Sequence, residues 1–281
     1  MAFPVSPVSF SVTGDLARLT PNNLQAPLAA IPVRAGTCVM PVTYRELGPF
    51  SDAWWRFYVN DGDGMIVHCG KNRVRIPAWT LTILPAWLTW QITMTKSTNH
   101  SYVEVDCPSL SGRQITDRCQ SALVIPLAHS GVYVAVARTL LQGNVPKGAS
   151  NALLSGIHQV MAHLVDDLDL TERHPSNLAA VLTSITDHLG DDLRVPALAT
   201  RHHVSPKTLT TLFQRHLGVT PATFVRERRL AQACRLLRET DFSIDDIATR
   251  IGFTNRAYLS RLMAKMIGLP PATYRRGPTH E

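Results

Sequence analysis

The chain has 281 residues, of which 45% are hydrophobic and 17% charged, with a formal net charge of +7. That length suits two domains, each with its own core, and that composition excludes a chain that is disordered throughout. Its five cysteines, Cys38, Cys69, Cys107, Cys119 and Cys234, are odd in number and form no C-x-x-C pair, so reduced cytoplasmic thiols are expected rather than a disulfide framework.

The amino terminus, MAFPVSPVSFSVTGDLARL, lacks a basic leader and a continuous apolar core, so it does not read as a secretory signal. The Pro-rich first 30 residues are expected to be loosely ordered. From about residue 31 to 108 the texture is that of strands. Residues 39–44, 54–59, 64–69, 72–76, 80–84, 89–93 and 102–106 are short runs rich in Val, Ile, Thr and aromatics. Turn signals such as Asn60-Asp61-Gly62 and Gly70-Lys71-Asn72 separate them. Many short strands at this spacing predict a β-barrel or sandwich. The most apolar run, residues 78–90, is broken by Pro85 and by threonines, so no membrane span is expected.

A barrel of this kind can enclose a small ligand. Trp54, Trp55, Phe57, Trp79, Trp87 and Trp90 are the candidates to line such a pocket, and Arg56, Arg73 or Arg75 to anchor an anionic or hydroxylated effector. The competing reading makes the same aromatics ordinary core, and alternation alone does not say which of Trp54 and Trp55 points inward. Two helices are then expected, near residues 131–141 and 152–168. The second carries a stripe of Leu153, Leu154, Ile157, Val160, Met161, Leu164 and Leu168. Residues 171–176, with Pro175, are read as a linker, which divides the chain into a barrel (1–112), a helical connector (113–170), the linker, and an all-helical domain (177–281).

That last domain says the same thing twice. LATRHHVSPKTLTTLFQRHLGVTPATF begins at Leu198, and IATRIGFTNRAYLSRLMAKMIGLPPATY begins at Ile247. Leu209, Gly218, Pro221 and Phe224 recur as Leu259, Gly268, Pro271 and Tyr274. Each copy reads as a short helix, a tight turn, and a second helix opened by Ser205 or by Thr254 and Asn255, which is a helix-turn-helix. Such a second helix enters the major groove of DNA. In the first copy Leu209, Leu212 and Phe213 must face inward, which leaves Lys207, Thr208, Thr210, Thr211 and Gln214 outward. In the second, Leu259, Leu262 and Met263 are inward, and Arg256, Ala257, Ser260, Arg261 and Lys265 are outward or flanking. Arginine can grip guanine bidentately, glutamine suits adenine, and a threonine methyl can meet that of thymine, so the second helix is the better-armed reader. Residues 177–281 hold 15 Lys plus Arg against 9 Asp plus Glu, so nearly all the excess positive charge lies here. His202-His203 is read as part of the first turn rather than as a metal pair.

Residues 177–276 resemble the DNA-binding domain of AraC/XylS-type transcription regulators. The match is closest over Ile247-Ala248, Gly252-Phe253, Tyr258-Leu259-Ser260-Arg261, Gly268-Leu269-Pro270-Pro271 and Tyr274-Arg275, and it includes Arg229-Leu230, Ala233 and Leu236-Leu237 between the motifs. Residues 59–85 resemble the cupin-like sensor domains that precede it in that family. The resemblance implies an α+β protein, with a cupin-like β-barrel and following helices before two helix-turn-helix units bridged by one helix. It also implies a cytoplasmic activator that binds double-stranded promoter DNA, responds to a small-molecule effector, contacts RNA polymerase, and forms a homodimer through the helices after the barrel. Two departures bear on the first motif and the core. Thr211 stands where the family commonly has Arg, leaving Lys207 as the main cation of its helix, and Met263 stands where Phe is common, a substitution that a flexible thioether tolerates. Cupin enzymes hold a metal with a His and Glu cluster, but His68, His100 and Glu104 are scattered here and Trp87, Leu88, Thr89 and Trp90 follow Pro85. No catalytic residue, cofactor or metal is therefore expected. The alternatives are a cupin-like enzyme fused to a DNA-binding module, and a regulator whose first domain only dimerises or binds a protein partner.

Overall fold

The computed structural model describes residues 30–42, 47–107, 117–144, 147–167 and 176–276. Residues 1–29 of the segment expected to be loosely ordered, and residues 171–175 of the linker expected at 171–176, fall outside these, whereas Ser176 opens a helix. The chain divides into two compact units; among the described residues the first carries the strands and two helices, and the second the other helices.

Among the described residues the first unit has nine strands in two antiparallel sheets. One has the order β1 (Ile31–Met40), β8 (Thr98–Asp106), β3 (Trp55–Asn60), β6 (Leu81–Leu84), β9 (Leu123–Ile125). The other has the order β2 (Leu47–Phe50), β7 (Trp90–Met94), β4 (Met65–Cys69), β5 (Asn72–Arg75). The α+β class is as expected; among the described residues neither sheet closes on itself, so of the barrel or sandwich expected from the strands the structure shows two open sheets sharing a core. The sequence explains the tight joints. Cys69 pairs with Asn72, so Gly70 and Lys71 form a two-residue hairpin loop, and Gly70 takes the left-handed conformation (φ 58°) that such loops demand. Asp61 receives Asn99 N at 2.8 Å, pinning the turn after β3 to β8.

Register sorts the side chains of β3 into two layers. Trp55 pairs with Val105 and Phe57 with Val103, putting these four on one face. That face is covered by α1 (Leu127–Leu141), whose Tyr133 ring lies 5.8 Å from Phe57. The opposite face looks into the core between the sheets, where Tyr58 and Tyr102 join Met65, Val67, Leu84, Trp90, Ile92 and Met94. This layer also holds polar groups. Arg56 Nη2 is 3.3 Å from Glu104 and its Nη1 donates to Tyr58 Oη at 3.2 Å. His100 Nδ1 is 2.6 Å from Asn60 Oδ1, and both residues are buried. Burial, aided by the Arg56 charge, lowers the His100 pKa to about 3, so its ring is neutral at ordinary pH.

The helix α2 (Ala149–Asp167) spends its apolar stripe inside the chain. Leu153, Leu154, Ile157, Val160, Met161 and Leu164 are all buried, while Leu168 lies outside the described residues. Gly156 lets α1 come so near that a Cβ there would lie 3.0 Å from Tyr133 N. The stripe therefore packs on its own unit and is not left for a second copy. By contrast α1 is apolar on its outer side too, with Leu127 and Val132 exposed.

The second unit is all helical: α3 (Ser176–Asp187), α4 (Val195–Arg201), α5 (Pro206–Leu217), α6 (Pro221–Glu239), α7 (Ile244–Arg250), α8 (Arg256–Met266) and α9 (Pro271–Arg276). Leu178, Val181, Leu182 and Ile185 of α3 repeat at helical spacing and close the core of the first motif. The long helix α6 buries Phe224, Val225, Leu230, Ala231, Ala233, Cys234 and Leu237, so it is packed on several sides and bridges the two motifs.

Candidate nucleic-acid interface

The two motifs are α4 with α5 and α7 with α8, and their turns are built alike down to the backbone. In the first, His202 N donates to Leu198 O and Val204 N to Ala199 O. In the second, Ile251 N donates to Ile247 O and Phe253 N to Ala248 O. The same place in each turn is left-handed, His203 with φ 54° in one and Gly252 with φ 75° in the other. Desolvation, with the neighbouring Arg201 and His203 charges, lowers the pKa of His202. Both presented helices are capped as the sequence leads one to expect. Ser205 Oγ accepts Thr208 N at 3.0 Å, and Asn255 Oδ1 accepts Tyr258 N at 2.9 Å. Each ends on a left-handed glycine, Gly218 (φ 67°) and Gly268 (φ 85°).

One face of each helix is consumed by the core. Leu209 and Phe213 are fully buried in α5, with Phe213 edge-on to Phe224 at 5.6 Å, and Leu212 is half-buried against the same cluster. In α8 Leu259, Leu262 and Met263 are buried, so Met263 does fill a core position. The other face is exposed. Lys207, Thr208, Thr211 and Gln214 stand out from α5, and Arg256, Ala257, Arg261 and Lys265 from α8. Thr210, expected outward, sits at the flank, as does Ser260, expected outward or flanking. Thr210 is half-buried and donates to Pro206 O at 2.9 Å, and Ser260 is half-buried.

Arg215 is a further basic residue of this face that the sequence pattern did not single out. It is exposed on α5, one turn beyond Thr211 and two beyond Lys207, and these three line a groove of about 280 Å³ with Thr208, Leu212 and His216. The helical period was the available signal, because residues 207, 211 and 215 fall on one stripe. Lys207 is therefore not the main cation alone. Tyr258 is also exposed at 39%, its ring edge-on to Phe253 at 5.3 Å. Arg256 is 3.4 Å from Asp245 on α7, an exposed pair that leaves the guanidinium available to a stronger anion.

Two capped helices, each turning a polar and basic face outward from a fixed turn, have the geometry to enter a major groove. The helix-turn-helix domain family matches residues 198–277, the interval that holds both motifs. The regulatory protein PocR of Salmonella typhimurium is 31% identical over 102 residues, covering 36% of this chain and 34% of PocR. The carboxyl-terminal part of this chain is an AraC/XylS-type helix-turn-helix domain. The transcriptional activator RhaS of Escherichia coli is 32% identical over 106 residues, covering 38% of each chain. The chain thus spans little more than a third of these two curated relatives, and both are regulators by name. Outside the AraC/XylS-type domain, the likeness is one of fold. The crystal structure of ToxT from Vibrio cholerae matches with a TM-score of 0.56 at 13% identity, covering 88% of this chain and 98% of ToxT.

The first unit's candidate ligand residues are dispersed by the same register that builds its sheets. Trp54, Trp55 and Phe57 are buried, Trp55 and Phe57 toward α1, and only Trp90 of the six aromatics belongs to the core between the sheets. Trp79 and Trp87 are half-buried with positive φ, and Arg138 lies 4.6 Å over the Trp79 ring. Arg73 and Arg75 are exposed on β5, whereas Arg56 is turned inward onto Glu104. His68 bonds Thr93 at 3.0 Å, away from His100 and its Asn60 partner. No group of three or more His, Cys, Asp or Glu capable of holding a metal occurs among the described residues. No described helix is long and apolar enough to cross a membrane.

Proposed function

We propose that this chain is a cytoplasmic, sequence-specific transcription regulator that reads two neighbouring major-groove segments of promoter DNA with α5 and α8. The observation that carries this is the duplicated motif, which turns Lys207, Thr208, Thr211, Gln214 and Arg215 outward on α5 and Arg256, Ala257, Arg261 and Lys265 outward on the equivalent helix α8, with Thr210 and Ser260 at the matching flank. Counterion release from phosphate supplies general affinity to such a basic surface, and the arginines supply base discrimination. Selection of bound sequences from random duplex DNA by the full-length protein tests it. A motif of two adjacent segments is expected, and salt-sensitive binding with no sequence preference would reduce the domain to a general DNA tether.

The first unit is the sensor in this proposal, and the protein acts as an activator without catalysis. One crystal structure of ToxT holds an unsaturated fatty acid, which supports a small-molecule effector for a protein of this fold. The polar layer of Arg56, Tyr58, His100, Tyr102 and Glu104 supplies groups to orient such a molecule, and a ligand that binds only the folded state must raise the melting temperature. The homodimer and the RNA polymerase contact belong to the same proposal. With the α2 stripe buried, the surface we assign to a second copy is the outer side of α1, where Leu127 and Val132 are exposed. Sedimentation of the parent beside Val132→Glu checks it.

A further inference from the structure

Arg229 lies midway along α6, half-buried, and its guanidinium holds three backbone carbonyls. Nε donates to Leu189 O at 3.0 Å, Nη2 to Asp191 O at 2.8 Å, and Nη1 to Gly252 O at 2.7 Å. Leu189 and Asp191 belong to the loop from α3 to α4 that leads into the first motif. Gly252 is the left-handed residue in the turn of the second. One side chain therefore ties the approach to the first motif directly to the turn of the second, adding to the packing by which α6 already holds α5 through Phe224 against Phe213.

The backbones at this junction are pressed together, and the sequence permits it. A Cβ on Gly252 would lie 2.5 Å from Arg229 Nη2 and 2.7 Å from Leu189 O. A Cβ on Gly190 would lie 2.8 Å from Arg250 O. Two glycines thus allow the turn of the second motif to abut the approach to the first. The connection runs further, because the Asp191 carboxylate is 3.2 Å from Arg201 Nη2 at the end of α4. Arg201, Asp191, Arg229 and Gly252 make a chain of polar contacts from one turn to the other. The guanidinium serves the three carbonyls from three separate nitrogens of a planar fork, and a lysine ammonium, whose three donors share one nitrogen, cannot match that geometry. The guanidinium also lies 5.8 Å from the Phe253 ring centre.

We propose that Arg229 is the positioning residue that sets the relative placement of the two recognition helices, and with it the spacing of the two DNA segments the domain accepts. This rests on the DNA-reading function proposed above. Each added base pair rotates one segment about the duplex axis by about 34°, given 10–10.5 base pairs per turn. A rigid pair of helices must reject that rotation, whereas a swivelling pair follows it.

The test uses full-length protein and duplexes selected by the parent, with the distance between the two segments changed one base pair at a time. The parent should lose about tenfold or more in affinity at the first step from its preferred spacing. Arg229→Lys should flatten that preference to within about threefold, while its binding to a duplex carrying a single segment stays at the parent's level. Gly190→Ala, which wedges the same junction without touching the guanidinium, should flatten it likewise and decides the matter if the first variant does not fold. Folded variants that keep the parent's spacing preference overturn the inference, whatever their loss of overall affinity. A parent that recognises each segment but tolerates every spacing overturns it too. A parent with no sequence preference at all refutes instead the function on which it rests.

Discussion

Acid should destabilise the first unit in part through one buried histidine, His100. The ordinary histidine pKa is about 6.5, and burial beside Arg56 brings that of His100 to about 3. Above pH 6.5 the ring is neutral in the folded and unfolded chain alike, and it contributes no pH dependence. As the pH falls below 6.5 the unfolded chain takes up the proton and the folded one does not, so stability is lost progressively until about pH 3. At pH 5 the loss amounts to about 2 kcal/mol, being 1.36 kcal/mol for each of roughly 1.5 pH units. Carboxylates titrate in the same range, so the assay is a difference between proteins. Urea unfolding of the parent and of His100→Asn would be followed at pH 7 and pH 5 by tryptophan fluorescence, which reports the first unit because all five tryptophans lie there. Asparagine keeps an N–H for Asn60 Oδ1 and cannot titrate. The parent should lose about 2 kcal/mol more than the variant between the two pH values, a midpoint difference of roughly 1 M urea. Equal losses in the two proteins would refute the assignment of a neutral, buried His100.

Three further outcomes are expected in the second unit. Arg261→Ala should cost about 1–3 kcal/mol of binding to a selected duplex and relax preference at one base position, as read by competition with single-base variants. Arg215→Ala should weaken all sequences alike and reduce the slope of log affinity against log salt by about one, the signature of a lost phosphate contact. Phe213→Ala, which empties a fully buried site beside Phe224, should destabilise the domain by about 3–5 kcal/mol in circular-dichroism melts.

The helical unit was the more legible because its signals are local. Ser205 and Asn255 announce their helices through short side chains that cap them, and the Leu209–Phe213 spacing names the buried face before any fold is known. The borders of the stripe are less legible. Thr210 and Ser260 lie between the inward and outward faces, where a period of 3.6 does not decide, and Arg215 was missed although it lies one turn beyond Thr211. The clamp by Arg229 was out of reach, since its acceptors are carbonyls at Leu189, Asp191 and Gly252, which carry no side-chain signature.

The sheet unit reads less well because pairing is non-local. Most strands are visible as β-branched and aromatic runs, yet nothing in Leu47–Phe50, with its Gly and Pro, or in the three residues Leu123–Ile125 alternates enough to show a strand. The polar residues of β3, Arg56 and Asn60, point into the core between the sheets, which inverts the usual pattern of apolar in and polar out. That inversion puts Trp55 and Phe57 on the helix-covered face and leaves Arg56, with its polar neighbours, in the layer between the sheets. Trp79 and Trp87 resemble strand residues in sequence, but their positive φ values (55° and 64°) put them in turns. Closure of a barrel depends on strand number and stagger together, which no single segment encodes.

If α5 and α8 read adjacent segments of one duplex, both must leave a mark on the same DNA molecule. Hydroxyl-radical footprinting of the full-length protein on a selected duplex, with the parent beside Arg261→Ala, measures this most directly. Two protected segments are expected on one side of the duplex, about one helical turn apart, with protection lost first at one of them in the variant. A single protected segment, or protection spread evenly along the DNA, would contradict the reading by two helices.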